Sequence, residues 1–174
     1  MKKEIIKNKI LRNSIFVFFL MAFSFSSYAQ EDKNLIYHPD ADAKKELASA
    51  LVTAKTEKKN VVLMVGGNWC RWCKMFEKFK TENAKVDSTL KKDFVFLHIN
   101  YSKENKNEAL LATLDFPQRF GFPVFLILDK EGKRLHTQNS AYLEEGEGYS
   151  EERTIDFLHQ WNVEALDPEN YMGK

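Results

Sequence analysis

The chain has 174 residues with 26 basic and 25 acidic side chains, four histidines and two cysteines. This near balance of charge, without a basic block, argues against nucleic acid or an anionic membrane surface as a binding partner. Two cysteines exclude a framework of several structural disulfides, and the length predicts one domain with a sizeable core.

The N-terminus has the pattern of a signal peptide for export. Residues 1–12 carry five bases against one acid, and the apolar run at residues 15–25 is too short to cross a bilayer comfortably as a helix. Ser27-Tyr28-Ala29 is a small-x-small pattern, so cleavage is expected after Ala29, with an uncleaved anchor as the alternative. The mature chain would keep 21 basic and 24 acidic residues, a net charge of about −3. The expected location is the periplasm, with full secretion as the alternative.

The mature chain begins with a polar stretch and then becomes periodic. Residues 30–39 are interpreted as an N-terminal extension, and residues 40–174 as one domain. The domain opens with a helix whose apolar stripe is Leu47, Ala50, Leu51 and Ala54. Residues 61–65 form an apolar run rich in β-branched side chains, which is typical of a strand buried on both faces. Gly66-Gly67 then allows a sharp turn.

Both cysteines follow this turn, in Asn68-Trp69-Cys70-Arg71-Trp72-Cys73-Lys74, at the predicted start of a helix that continues through residues 75–80. Residues three apart on a helix share a face, so Cys70 and Cys73 can close or open a disulfide with little backbone movement. Unpaired N–H groups and the macrodipole at a helix N-terminus favour a thiolate. Lowering a cysteine pKa from about 8.5 to about 6.5 takes about 2.7 kcal/mol, much of which the helix end and Arg71 can supply.

These features predict that Cys70 is the nucleophile and Cys73 the resolving thiol. Cys70 would attack a disulfide of a partner, and Cys73 would then release the reduced partner from the mixed disulfide. A zinc site is less favoured, because its further ligands would have to be carboxylates or histidines without ligand spacing, namely His38, His98, His136 and His159. An inert buried pair would leave the polar neighbours Asn68, Arg71 and Lys74 unexplained. No metal and no cofactor are expected.

Strands and helices continue to alternate after the thiol segment. The patterns predict, in chain order, a helix at 84–92, a buried strand at 94–100, a helix at 108–114 ending before Pro117, a strand at 120–128, a glycine-containing turn at 129–132, an antiparallel return strand at 133–138, an acidic loop at 140–148 and a last helix after the cap Ser150. The apolar stripe of the last helix would be Ile155, Leu158 and Trp161.

This order of elements resembles the thioredoxin fold over nearly all of the mature chain. The resemblance depends on Trp69 before the first cysteine, the Phe122-Pro123 step that opens the third strand, and the turn at 129–133. It implies an α/β class, with a central mixed sheet, flanking helices, and a C-terminal antiparallel hairpin plus helix. It also implies a cis bond at Phe122-Pro123 lying against the disulfide, where a substrate chain pairs with exposed backbone as an added strand. The implied substrate-binding residues are Trp69, Trp72, Phe122 and Pro123.

The sequence departs from that family in two places. Met64 stands where many thioredoxins have a buried aspartate that assists proton transfer from the resolving thiol. Arg71-Trp72 replaces the Gly-Pro pair of thioredoxin, which leaves the direction of electron flow open. Glu77 matches an acidic position of some periplasmic thiol:disulfide interchange proteins and is a candidate to assist Cys73, with a solvated carboxylate as the alternative. His98 is interpreted as a satisfied core residue or a polar group at a strand end.

The predicted function is a thiol:disulfide oxidoreductase that acts on thiols or disulfides of exported proteins. The reductase direction, with electrons from a membrane protein, is favoured because no histidine lies between the cysteines; isomerase and oxidase are alternatives. The competing hypothesis is a redox-inactive thioredoxin-like module that binds a peptide or protein through Trp69, Trp72 and Phe122. A monomer is expected in either case.

Overall fold

The computed structural model describes residues 35–173. The predicted signal peptide, residues 1–29, lies outside the described residues, as do residues 30–34 of the predicted extension. Within the described part of the chain, no helix has the length and apolar character needed to cross a membrane. The helices and strands are α1 (Ala43–Glu57), β1 (Asn60–Gly66), α2 (Arg71–Glu82), α3 (Ala84–Asp93), β2 (Phe94–Asn100), α4 (Glu108–Thr113), β3 (Val124–Leu128), β4 (Arg134–Asn139), β5 (Glu144–Glu145), β6 (Gly148–Tyr149) and α5 (Glu151–Gln160).

Four strands form a mixed sheet in the order β2-β1-β3-β4. β1 runs parallel to β2 and antiparallel to β3, and β3 pairs antiparallel with β4. Leu63 in β1 lies between Leu97 of β2 and Leu126 of β3. Every residue of β1 and β3 is buried, as expected for central strands covered on both faces. The predicted α/β class with a mixed sheet and a C-terminal hairpin plus helix is confirmed.

β2 was predicted as a buried strand, and in this respect the prediction is wrong. Its bounds agree with the prediction, but the four residues from Val95 to His98 are only partly buried. β2 lies at the edge of the sheet, where β1 is its one neighbouring strand. An edge strand covered by helices can be nearly as apolar as a central one, so hydrophobic pattern alone does not separate the two positions.

Side chains alternate between two apolar cores, one on each face of the sheet. In β1, Val62 and Met64 face the core that contains the disulfide, whereas Leu63 faces the other. The first core is closed by α2, α3 and α5, and the second by α1 and α4. The flanking helices expected from the fold therefore cover both faces of the sheet. The helix that carries the cysteines, α2, packs in the first core.

The chain between β4 and α5 is more regular than the acidic loop predicted at residues 140–148. Residues Ser140–Leu143 form a 3-10 turn, and β5 and β6 then form a short hairpin that turns at Gly146, where φ is +57°. Ser150 is the N-cap residue of α5, as predicted, but its side chain makes no capping hydrogen bond. Its backbone N–H instead donates to the carbonyl of Leu143 at 2.9 Å, which joins the turn to the helix.

Residues 35–42, directly before α1, pack on the domain; they include the second half of the stretch 30–39 that the sequence predicted as an N-terminal extension. The compact unit begins at Leu35, and Tyr37 exposes only 1% of its surface. The Asn68 side chain holds this segment: its Oδ1 accepts the N–H groups of Ile36 at 3.2 Å and Tyr37 at 3.1 Å, and its Nδ2 donates to the Tyr37 carbonyl at 2.7 Å. The backbone of residues 36 and 37 thus finds its partners in the thiol loop.

Candidate active site

Cys70 and Cys73 form a disulfide at the N-terminus of α2, with their Cα atoms 5.3 Å apart. Cys70 is the N-cap residue in an extended backbone conformation, and its Sγ accepts the N–H of Cys73 at 3.1 Å. The helix begins at Arg71, so both cysteines lie at its start, as the motif predicted. Backbone N–H groups of this first turn are therefore in place to stabilise a thiolate on Cys70.

The two cysteines differ in their access to the surface. Cys73 is fully buried, whereas Cys70 keeps 4% of its surface exposed. Cys70 is therefore the cysteine closer to the surface and the more accessible of the two to a disulfide of another protein. This difference favours Cys70 as the attacking thiol and Cys73 as the resolving one.

Two of the predicted substrate-binding residues, Trp69 and Phe122, are in contact. Their rings meet edge to face with centroids 5.2 Å apart, and Trp69 is 58% exposed. The Trp69 Nε1 donates to the carbonyl of Tyr101 at 2.7 Å, while the Tyr101 ring stacks on Phe122 at 4.9 Å. Trp69 is thus held in one orientation beside Cys70 while much of its ring faces solvent.

Of the other two predicted substrate-binding residues, Pro123 is buried and Trp72 is partly buried. The Phe122-Pro123 bond is cis, as the resemblance implied, and Pro123 is buried. Because Val124 pairs with Val65, Pro123 lies beside the end of β1 from which the thiol loop begins. Trp72 is partly buried and packs against Tyr149, with centroids 5.6 Å apart, and its carbonyl accepts the Tyr149 hydroxyl at 3.2 Å.

Glu77 and His98, interpreted separately from the sequence, form one cluster in the structure. Oε2 of Glu77 lies 2.9 Å from Nε2 of His98, and Oε1 lies 2.9 Å from Nζ of Lys80. Because an ionised carboxylate can only accept, the Nε2 of His98 carries a proton and donates it. Glu77 is therefore an ion-paired, partly buried group rather than a solvated carboxylate. Met64, at the family's aspartate position, is fully buried and supplies no proton acceptor.

Glu77 makes stability depend on pH. Partial burial by itself would raise the pKa of Glu77, but hydrogen bonds from His98 and Lys80 outweigh it and lower the pKa from 4.5 to about 2. A carboxylate of this kind stabilises the fold above its unfolded-state pKa and loses that contribution as the pH falls through the folded-state value. When the pH is lowered from 5 to 2, the unfolding free energy of the wild type is therefore expected to fall by about 1–3 kcal/mol more than that of Glu77→Gln.

Urea unfolding at the two pH values measures this difference. Glu82→Gln is the matched control, because Glu82 is on the same helix and its side chain is 66% exposed. Equal acid losses in the wild type and Glu77→Gln would contradict the lowered pKa.

Sequence reasoning missed three tyrosines that surround the thiol segment: Tyr37, Tyr101 and Tyr149. Each comes from a different part of the chain, so no local pattern connects them with the cysteines. One signal was present, since Leu35-Ile36-Tyr37 is an apolar triplet inside a polar stretch. Such a triplet indicates a segment that packs on the domain.

Comparisons with known proteins agree with this arrangement. The family described as Thioredoxin-like matches residues 42–130. The chain is 35% identical over 88 residues to the thiol:disulfide interchange protein DsbD of Salmonella paratyphi A. That match covers 51% of this chain but only 15% of the relative, so the chain spans a small part of that protein's length.

Two solved structures are also similar to this chain. The disulphide isomerase from Xylella fastidiosa Temecula1 superposes with a TM-score of 0.65 and 26% identity, over 74% of this chain and 97% of that one. The C-terminal domain of DsbD from Neisseria meningitidis, in its reduced form, gives a TM-score of 0.55 and 20% identity, over 70% of this chain and 98% of that one. The second likeness shows a shared fold.

Proposed function

The chain belongs to the thioredoxin-like family, and from this membership we propose that it is a thiol:disulfide oxidoreductase acting on exported proteins. The observation that carries the proposal is the Cys70–Cys73 disulfide at the N-terminus of α2, of which Cys70 alone reaches the surface. One relative is named a thiol:disulfide interchange protein and one structural neighbour a disulphide isomerase, which supports the same class of chemistry.

The reaction starts from the reduced protein. The Cys70 thiolate attacks one sulfur of a substrate disulfide, and the other substrate sulfur leaves as a thiolate. Cys73, deprotonated, then attacks Cys70 Sγ in the mixed disulfide, and the second substrate sulfur leaves. Two electrons have passed to the substrate, and the two protons lost by the cysteines are balanced by those that the substrate thiolates take up.

In this proposal the protein acts in the reductase direction, and a membrane protein returns two electrons to the Cys70–Cys73 disulfide. Export through the predicted signal peptide at residues 1–29 would bring the protein, as a monomer, to the periplasm. Trp69, Trp72, Phe122 and Pro123 would contact the substrate. Glu77 would support the reaction from the face of α2 that also carries Cys73.

The order of attack is tested with Cys73→Ala, which is expected to accumulate covalent complexes with partner proteins. Without the resolving thiol, no second cysteine of the protein can attack the mixed disulfide at Cys70 and release the partner. Non-reducing electrophoresis after acid quenching and alkylation detects the complexes, and mass spectrometry identifies the linked cysteine. The control Cys70→Ala/Cys73→Ala should form none. Complexes formed through Cys73 of a Cys70→Ala protein, with few or none through Cys70 of the Cys73→Ala protein, would reverse the assigned roles.

The direction of electron flow is tested by equilibrating the wild type with glutathione and its disulfide. A reductase requires a disulfide that is stable against the glutathione pair, whereas an oxidase requires an unstable one.

A second candidate function, a binding module without redox activity, is favoured by the exposure of Trp69, and the insulin assay described in the Discussion separates it from the enzyme.

A further inference from the structure

The Tyr37 hydroxyl is a buried polar group without a hydrogen-bond partner in the disulfide form. Tyr37 is 1% exposed, and its hydroxyl oxygen has no partner among residues 35–173. Its ring meets the His98 ring edge to face, with centroids 5.3 Å apart. Buried hydroxyls normally have a partner, so this one calls for an explanation.

Gly66 brings the hydroxyl close to the inner sulfur. A Cβ on Gly66 would lie 2.6 Å from the Tyr37 hydroxyl oxygen and closer still to Cys73 Sγ. Both atoms therefore crowd the same side of Gly66, so closely that a side chain at position 66 would have no room. The Asn68 side chain holds the backbone of residue 37 through its bonds to the Tyr37 N–H and carbonyl. The backbone position from which the Tyr37 ring extends is therefore fixed.

We propose that the Tyr37 hydroxyl donates a hydrogen bond to Cys73 Sγ when the disulfide is reduced, and so favours the dithiol form. The inference rests on the proposed redox function. A disulfide sulfur is a weak acceptor, whereas a thiolate is an anion that accepts strongly. The hydroxyl would thus gain its partner at the step in which Cys73 Sγ acquires charge.

The surroundings keep Tyr37 a donor. Burial, followed by the negative charge of Glu77 and the neighbouring Tyr149, raises the pKa of Tyr37 well above its ordinary range. The hydroxyl therefore keeps its proton throughout the working range of pH. Met64 offers Cys73 no polar group from β1, which leaves Tyr37 as a source of hydrogen bonding on this side of the sulfur.

The step can be written with glutathione as the reductant. A glutathione thiolate attacks Cys70 Sγ, the Cys70–Cys73 bond breaks, and its electron pair leaves on Cys73 Sγ, which Tyr37 O–H then contacts. A second glutathione thiolate attacks the mixed disulfide and releases Cys70. The products are glutathione disulfide and the two reduced cysteines; the two glutathione thiols lose their protons to solvent, and a cysteine sulfur takes one up only where it does not stay a thiolate.

Tyr37→Phe tests the proposal, because it removes the hydroxyl and keeps the ring. The variant loses an unpaired group in the disulfide form and a hydrogen bond in the dithiol form, and both changes favour the disulfide. We expect the equilibrium constant with glutathione to shift roughly tenfold towards the disulfide, which corresponds to about 30 mV. Alkylation of samples equilibrated at pH 7, followed by mass spectrometry, gives the disulfide fraction.

Tyr149→Phe is the matched control, since it also removes a buried tyrosine hydroxyl beside the thiol segment. That hydroxyl already has a partner in the disulfide form, the Trp72 carbonyl at 3.2 Å. We expect its equilibrium constant to change less than about twofold, because a satisfied hydrogen bond to backbone is lost in both forms. A shift for Tyr37→Phe well beyond that of the control supports the proposal.

A Tyr37→Phe protein that exchanges with glutathione at the wild-type equilibrium, or is shifted towards the dithiol, would overturn it. In that case Tyr37 would act through packing alone, and the thermal stability of both redox forms would change equally. The same experiment also tests the proposed function. If the cysteines of the wild-type protein did not exchange with glutathione, both the oxidoreductase function and the role of Tyr37 would be contradicted.

Discussion

Replacing Cys70 with Ser is expected to abolish reduction of insulin disulfides. A serine hydroxyl does not ionise near neutral pH, so the helix terminus has no thiolate to stabilise, and no mixed disulfide can form. We expect the catalysed rate with dithiothreitol to fall by at least about a thousandfold, to the uncatalysed background. The turbidity of precipitating insulin chains follows the reaction.

Cys73→Ala is the control for this experiment, because it also lacks the disulfide but keeps the attacking thiol. It should form the mixed disulfide without completing the cycle, so the two variants separate loss of the bond from loss of the nucleophile. Full activity of Cys70→Ser would contradict the assignment of Cys70. If instead a peptide or protein bound equally well after loss of both thiols while the wild type reduced no insulin, the binding module would be the correct function.

Replacing Phe125 with Ala is expected to lower the unfolding free energy by about 3–5 kcal/mol. Phe125 is 1% exposed in the central strand β3, on the face that also carries the disulfide. Its ring contacts Phe76 of the thiol helix, with centroids 4.5 Å apart, and approaches Phe157 of α5 at 6.4 Å. Removal of the ring leaves a cavity between strand and helices that packed neighbours cannot fill completely.

Urea unfolding of the disulfide form measures this loss. Val52→Ala, on α1, serves as control because Val52 is 66% exposed, and it should change the unfolding free energy by less than about 0.5 kcal/mol. A loss below about 1 kcal/mol for Phe125→Ala would mean that this ring does not hold the thiol helix on the sheet.

The sequence by itself determined the features that depend on neighbouring residues. The apolar run at 61–65 specified a strand buried on both faces, and the next residues placed two thiols at the start of a helix. Strand burial and helix initiation follow from local periodicity and from which residues can turn or cap, so a short window contains the information. The order of these elements was then enough to indicate the fold.

The tertiary structure alone decided which distant groups meet at the site. The backbone of Tyr37 is held by Asn68, 31 positions along the chain, which places its hydroxyl beside the same glycine, Gly66, as Cys73 Sγ, and Glu77 meets His98 across 21 positions. The position of β2 at the sheet edge was likewise a matter of which strands pair. Such contacts arise when the elements fold against each other, and a pattern with a period of two or 3.6 residues carries no record of them.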